Sequence, residues 1–327
     1  MPLELPTFGM GCSGLGNLYR AVSEKEAHAA ITAAVTAGVR YFDTAPLYGF
    51  GLSERRLGAA LSSVSAPDLI ISTKVGRSLR PGAPSAQARQ GFVDAPPFDT
   101  VFDYSFDGIM ESFESSLARL ARSRVNILLA HDLGGQTHGA DSDRMTDAFL
   151  QGGYPAMRRL RASGRIDAIG LGVNEISICE ELLDEVRLDV ILLAGRYTLL
   201  EQGALPLLDR CARQGVAVIV GGPFNSGLLV ETPETGTVHY NYGVAPAPLL
   251  ETVGKLRAIC ERFNTALPAA ALRFPAGHPA VRCVLTGLSA AREVEQAISW
   301  NNQPIRRELW LALREAGLIR EAAPLPC

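Results

Sequence analysis

The sequence predicts a (β/α)8 barrel, and three observations carry that prediction. A helical stretch ending in Gly or a short polar turn, followed at once by a β-branched run, recurs along the 327 residues. The apolar runs are continuous rather than alternating, which suits strands buried on both faces of a parallel sheet. The Pro- and Gly-rich stretches 80–104, 133–153 and 222–247 each follow a proposed strand at its C-terminal end, the face on which barrels build their sites. Length alone suggests two domains. No break in composition divides the chain, so one barrel over 1–327 is expected.

The elements follow in order. "TFGMGCS" (7–13) reads as the first strand. "TAGVRYFDT" (36–44), "DLIISTKV" (68–75), "ARSRVNILLAHD" (121–132) and "ASGRIDAIGLGV" (162–173) carry the next four. "VRLDVILLAG" (186–195), "RQGVAVIVGG" (213–222) and "AVRCVLTG" (280–287) complete eight. Where glycine precedes the run it suits a helix end, because it accepts the left-handed conformation without steric cost. Ser23 and Glu26 form a capping box for a helix over 24–37. Ile109, Phe113, Leu117 and Leu120 make a helical stripe over 107–122. Further helices are expected over 176–185, 203–214, 247–263, 291–300 and 305–317.

Composition excludes several classes. Hydrophobic content of 47% with 20% charged residues is that of a globular protein. A net charge of −3 favours neither nucleic acid nor an anionic membrane as a partner. No apolar segment is long enough to span a bilayer, and "MPLELPTFGM" lacks a basic leader, so a cytoplasmic location is expected. Six scattered cysteines without CxxC spacing read as reduced thiols, and no metal site is expected.

One motif points elsewhere. Gly9, Gly11 and Gly14 in "GMGCSG" match G-x-G-x-x-G, and Asp43 ends the next strand as a ribose-binding acid would. That keeps a doubly wound dehydrogenase as the alternative. The fingerprint should open directly into a helix, whereas here the helix cap arrives only at Ser23. The glycines therefore read as a strand end and loop passing close to a ligand.

The C-terminal strand ends carry Asp43 with Tyr48 just beyond, then Lys74, His131 with Asp132, and Asn174. In a barrel these ends converge on one mouth. A buried ammonium beside a buried carboxylate is tolerable when each keeps the other charged, so Lys74 is the natural partner of Asp43. A free phenol has a pKa of roughly 10, and a neighbouring lysine cation is expected to lower that of Tyr48. Tyr48 can then pass a proton to or from a carbonyl or alcohol oxygen while hydride moves at the adjacent carbon. A neutral His131 would donate to the same oxygen. Taken singly, each residue is more often a cap, a surface lysine or a structural histidine. Four of them on consecutive strands outweigh those readings.

Together "YFDTAPLYGFGLSERRLG" (41–58), "STKVGR", "LLAHDL" and "GVNE" resemble the aldo-keto reductase superfamily over nearly the whole chain. "DVILLAGRYTLLEQ" (189–202) and "VGGPFNSGLL" (220–229) are most similar to its D-threo-aldose (L-fucose) 1-dehydrogenase subgroup. Plant L-galactose dehydrogenases and a pyridoxal 4-dehydrogenase share that subgroup. The resemblance implies a nicotinamide cofactor across the mouth and a catalytic tetrad of Asp43, Tyr48, Lys74 and His131. It implies that Gly11 and Cys12 lie beside the cofactor and that Asn174 holds the nicotinamide carboxamide. Gly222, Pro223, Phe224, Asn225, Ser226, Gly227 and Leu228 would form the loop over the pyrophosphate, where backbone N–H groups approach phosphate closely. Thr286, Gly287, Ser289, Arg292, Glu295 and Gln296 would hold the adenosine end.

Val173, Ala194 and Gly221 depart from the wider family, where a hydroxyl, a glutamine and an aromatic are common. NADP-preferring relatives place basic residues where this chain has Gly287 and Glu293. A carboxylate there repels a 2′-phosphate and accepts from a free ribose hydroxyl, so NAD is expected to be preferred over NADP. Arg292 is the residue that would restore NADP. The implied activity is oxidation of a sugar of L-fucose, D-arabinose or L-galactose type at C1 to its lactone. Loops 80–104 and 222–247 would choose the substrate, with Arg77, Tyr104 and Asp132 as further candidates. Pyridoxal 4-dehydrogenation and general carbonyl reduction are the alternatives within the superfamily. A Schiff-base aldolase acting through Lys74 and a non-enzymatic cofactor-sensing subunit stand outside that reading. Asp43 opposes the first, because it keeps the lysine protonated, and the complete tetrad opposes the second.

Overall fold

Eight of the apolar runs form the strands of a closed parallel barrel in a computed structural model. It describes residues 4–64, 66, 68–82, 88–230, 239–240 and 243–326. The strands are β1 (Phe8–Gly11), β2 (Tyr41–Asp43), β3 (Ile70–Val75), β4 (Ile127–His131), β5 (Ala168–Val173), β6 (Val190–Ala194), β7 (Ala217–Gly221) and β8 (Val281–Gly287). They neighbour one another in that order, and β8 closes on β1 with Gly11 opposite Gly287. Closure removes the doubly wound alternative. The glycines after β1 run into a single 3-10 turn, Ser13–Gly16, rather than a helix.

Helices α1 (Glu24–Thr36), α2 (Leu52–Ser63), α3 (Phe106–Leu120), α4 (Tyr154–Ala162) and α5 (Ile176–Glu185) follow the first strands. Then come α6 (Leu205–Gln214), α7 (Ala247–Arg262), α8 (Leu267–Arg273), α9 (Ala291–Asn302) and α10 (Arg307–Glu315). The capping box forms as expected, with the Glu26 carboxylate accepting from the Ser23 N–H at 2.8 Å.

All three of the expected loops hold regular structure, the last of them as the short antiparallel pair His239–Tyr240 and Gly243–Val244. Arg77–Pro81 pairs antiparallel with Phe98–Phe102 as a hairpin beyond β3. Stretch 133–153 contains the helices Gly135–His138 and Ser142–Ala148. Helix α4 is the helical stretch that the turn at 162–165 ends, and it begins directly after the Gly-rich 133–153 stretch. Only Ala156, Met157 and Leu160 bury it against the barrel. Residues 83–87, 231–238 and 241–242 of loops 80–104 and 222–247, which were expected to choose the substrate, lie outside the described residues, as does Cys327. The other five cysteines are buried free thiols.

Side chains alternate across a strand with a period of two, and this alternation places the site. Tyr41, Ile127, Leu129, Val190, Leu192, Ile219 and Leu285 form a separate apolar cluster inside the barrel. Moving up two residues from Tyr41 on β2 gives Asp43, and two up from Leu129 on β4 gives His131. Lys74 and Ser72 share the same face of β3. The same step on β6, β7 and β8 gives Ala194, Gly221 and Gly287. The interior is thus apolar below. At the mouth it is polar on one side and small on the other.

Outside the barrel, Glu54 of α2 is fully buried and accepts from Thr73 Oγ1 and Arg119 Nε, each at 2.6 Å. This ties the helix that follows Tyr48 to the strand that carries Lys74. Removing one partner of a buried ion pair leaves an uncompensated charge. Arg119→Ala is therefore expected to lower the unfolding free energy by about 3–5 kcal/mol in a urea titration.

Candidate active site

The parallel register sets Asp43 beside Ser72. Ser72 Oγ donates to Asp43 Oδ1 at 2.6 Å, and Lys74 Nζ lies 2.6 Å from Asp43 Oδ2. Nζ also donates to the Thr44 carbonyl and to Tyr48 Oη, both at 3.0 Å. The Lys74 and Asp43 side chains are each 2% exposed, so each depends on the other for its charge. All three donors of the ammonium are used.

Two glycines make this geometry fit. A Cβ on Gly172 would sit 3.1 Å from both Cδ and Cε of Lys74, so the bare strand is the channel for the lysine stem. A Cβ on Gly16 would lie 2.5 Å from the Gly49 nitrogen and 2.5 Å from the Tyr48 carbonyl carbon. There the loop after β1 packs backbone to backbone on the turn that presents Tyr48.

The electrostatics correct one expectation. Tyr48 is not tuned downward: burial pushes its phenol up to about 12, outweighing the pull of Lys74 in the other direction. Tyr48 therefore stands as a protonated acid, accepting from Lys74 and keeping its own proton to give. Burial opposes the charge on Lys74, yet Asp43 and then Tyr48 outweigh it and hold the ammonium above the usual lysine range. His131 is 4% exposed, and burial lowers it to about 3 despite the opposing pull of Asp132. It is neutral at any working pH, as expected. Its ring stands edge-on to Tyr48 at 6.1 Å, with Nε2 3.6 Å from Asp132 Oδ2 and Nδ1 without a partner among the described residues.

The three substrate candidates separate. Tyr104 is 1% exposed, and its hydroxyl donates to the His131 carbonyl at 2.6 Å and meets His138 Nε2 at 3.1 Å. It braces the end of β4 with its hydroxyl. Arg77 and Asp132 stay at the mouth, paired at 2.7 Å, with the guanidinium 4.8 Å above the Phe102 ring. Ser72, Gly172 and Glu54 were missed. Ser72 was within reach of sequence reasoning, because period-two alternation puts it on the Lys74 face of the same strand.

The expected cofactor residues also divide. Asn174 is half-buried at the mouth, its carbonyl held by Arg196 Nε at 2.6 Å. Asn225, Ser226 and Gly227 take successive positive φ values of 48°, 59° and 96°. The run is a tight left-handed turn, in which the Asn225 and Gly227 N–H groups donate to the Gly222 and Phe224 carbonyls. The N–H groups of Phe224 and Ser226 donate to no backbone group of the described residues, and Gly222 is exposed beside them. With Gly11, Gly221 and Gly287 lacking side chains, this half of the mouth fits a flat ring and a diphosphate.

Five of the expected residues are buried or already bonded within the protein. Cys12 is fully buried, its N–H donates to the Asp43 carbonyl at 2.8 Å, and its own carbonyl accepts from Ser53 Oγ at 2.7 Å. Leu228 belongs to the core between strands and helices. Pro223 is buried. Thr286 alternates with Leu285 and Gly287 and so faces the helices, 1% exposed. Glu293 is partly committed: its Oε2 accepts from the Ser289 N–H at 2.6 Å and the Ala290 N–H at 3.2 Å. Arg20, unanticipated from sequence, reaches Ser289 Oγ at 2.9 Å and Glu293 Oε1 at 3.5 Å. Arg292, Glu295 and Gln296 are exposed on α9, and Asn225 Oδ1 is taken by Thr198 at 2.7 Å.

A neutral histidine, a proton-bearing phenol and a buried Lys–Asp pair above a closed parallel barrel define a barrel oxidoreductase dependent on NAD or NADP. The chain belongs to the aldo/keto reductase family, whose family model matches residues 7–317. It is 38% identical to pyridoxal 4-dehydrogenase of Microbacterium luteolum, over 97% of this chain and 95% of that one. It is 37% identical to D-threo-aldose 1-dehydrogenase of a Pseudomonas species, again over 97% and 95%. Among solved structures, the holo form of aldo-keto reductase AKR11C1 from Bacillus halodurans superposes with a TM-score of 0.73 at 23% identity, covering 99% of this chain and 97% of that one. That last likeness establishes the fold alone.

Gly172→Val drives new atoms into the Lys74 stem. A misplacement of this size near the chemistry is expected to lower kcat by about 100-fold, measured with any turned-over substrate, while urea midpoints report the accompanying overpacking cost.

Proposed function

We propose that this protein oxidises the cyclic form of an aldose at C1 to its lactone, with NAD favoured over NADP. The observation that carries the reading is the Lys74–Tyr48 contact at 3.0 Å. Tyr48 Oη accepts there from a lysine whose side chain is 2% exposed and keeps its own proton. When bound, the nicotinamide dinucleotide takes up the hydride released from the substrate carbon. Residues 222–227 and Asn174 would hold it. Tyr48 receives the C1 hydroxyl proton, and Lys74 stabilises the phenolate form that receives it. Neutral His131 orients the same oxygen as a hydrogen-bond donor. Lys74 offers no lone pair to a carbonyl, because its donors are engaged and its proton is firmly held, so the aldolase reading loses its nucleophile.

Pyridoxal is the second reading, favoured by the 38% identical relative named for it. Absorbance at the reduced-nicotinamide band separates the two, scored over L-fucose, D-arabinose, L-galactose, pyridoxal and a simple alcohol. Sugar turnover that survives in Tyr48→Phe would sink the acid–base assignment. The expected loss is about 100- to 10,000-fold.

The pH dependence has a definite sign. Oxidation needs the deprotonated tyrosine, and a phenol pushed up to about 12 is almost wholly protonated near neutrality. The rate of sugar oxidation at low substrate is expected to rise about tenfold per pH unit from 7 to 10, without a plateau. No inflection near the usual histidine range should appear from His131, which is neutral well above about 3.

Cofactor choice follows from Glu293. Its carboxylate occupies the N–H groups at the start of α9, where a 2′-phosphate would otherwise be received, and it holds Arg20. Glu293→Ala frees those donors and that cation. The ratio of kcat/KM for NADP to that for NAD is expected to rise about tenfold, on the scale of one charge-assisted hydrogen bond.

A further inference from the structure

We infer that Asp132, oriented by Arg77, recognises the hydroxyl next to the reacting carbon, so the protein selects substrates that carry oxygen at C2. The inference rests on the C1-oxidation reading above and names what that site requires of its substrate.

The oxygen undergoing chemistry must lie within hydrogen-bond reach of both Tyr48 Oη and His131 Nε2. Asp132 Oδ2 is 3.6 Å from that same Nε2. On a sugar ring, oxygens on neighbouring carbons lie about one hydrogen-bond length apart when gauche. An O1 seated on Nε2 therefore brings O2 to the Asp132 carboxylate. The carboxylate accepts the hydroxyl proton. Arg77 Nη1, 2.7 Å from Oδ2, is a donor for the hydroxyl's own lone pairs. One hydroxyl can satisfy both partners, as an aldehyde with only carbon and hydrogen at that position cannot.

The pair is fixed in place for this work. Arg77 is clamped from its other side by the Gln90 side-chain oxygen and stacks on Phe102, and its side chain is 11% exposed. Asp132 is 21% exposed at its side chain, open enough to meet a ligand yet held to one orientation. Its backbone sits in the left-handed region at φ 54°, with the N–H bonded to the Gly172 carbonyl at 3.1 Å. A non-glycine residue held there by its surroundings is a recurrent feature of ligand sites. The strand-end geometry that aims His131 inward thus also turns Asp132 back across the mouth.

A polar site deprived of its expected hydroxyl leaves buried groups unpaired, which is why such sites reject the lacking analogue strongly. The test compares D-arabinose with 2-deoxy-D-ribose, which is D-arabinose without its C2 hydroxyl. The ratio of their kcat/KM values is measured in wild type, Asp132→Asn and Asp132→Ala. The ratio is independent of how much of each variant folds, so a destabilised variant still answers. Wild type is expected to prefer D-arabinose by about 10- to 100-fold, the range for a hydrogen bond to a charged group. In both variants the preference should shrink to about threefold or less. Equal turnover of the two sugars by wild type, or a preference that persists in both variants, overturns the inference while leaving C1 oxidation standing. If wild type turns over no aldose at all but does turn over pyridoxal, the sugar reading itself falls and takes this inference with it.

Discussion

The buried pair of Asp43 and Lys74 is the constraint around which the upper half of the barrel is arranged. Taking an ammonium and a carboxylate out of water costs several kcal/mol each unless geometry and further hydrogen bonds compensate. Here the compensation is complete. Ser72 satisfies the second carboxylate oxygen, and the Thr44 carbonyl and Tyr48 hydroxyl take the remaining ammonium protons. Gly172 leaves room for the lysine stem to reach them. A site with every donor assigned has one free proton to offer, and it is on Tyr48.

The same alternation divides the mouth. Strands β2 to β5 bring Asp43, Lys74, His131 and Asn174 to the rim, while β6, β7, β8 and β1 bring Ala194, Gly221, Gly287 and Gly11. One side can do proton chemistry. The other leaves space and backbone N–H groups. The departures from the wider family at Ala194 and Gly221 fall within this open half, so they widen a cradle rather than remove a catalytic group.

The balance at Tyr48 shows why magnitudes decide chemistry. A cation at hydrogen-bond distance favours the phenolate, yet the cost of charging a buried phenol is larger, and the direction reverses. The protein therefore holds a strong-affinity proton donor that Lys74 keeps from being weaker still. Reduction is served directly by that state. Oxidation draws on its rarer conjugate base, and alkali should favour it.

The sequence by itself determined the barrel's strand count, its parallel order and the four residues that meet at its mouth, because strand ends, charge types and apolar periodicity are local signals. It also placed Arg77 and Asp132 at the right rim. What it could not show depended on neighbours in space. Thr286 sits one residue off the inward face, Leu228 is absorbed by the outer core, and Tyr104 spends its hydroxyl on the His131 carbonyl. Glu293 had the right charge at the right position, but one of its oxygens was already committed to the start of α9. Only the tertiary structure decided these points, and the direction of the Tyr48 shift with them. Burial and hydrogen-bond partnership are properties of the packed chain, and no residue carries them in its own identity.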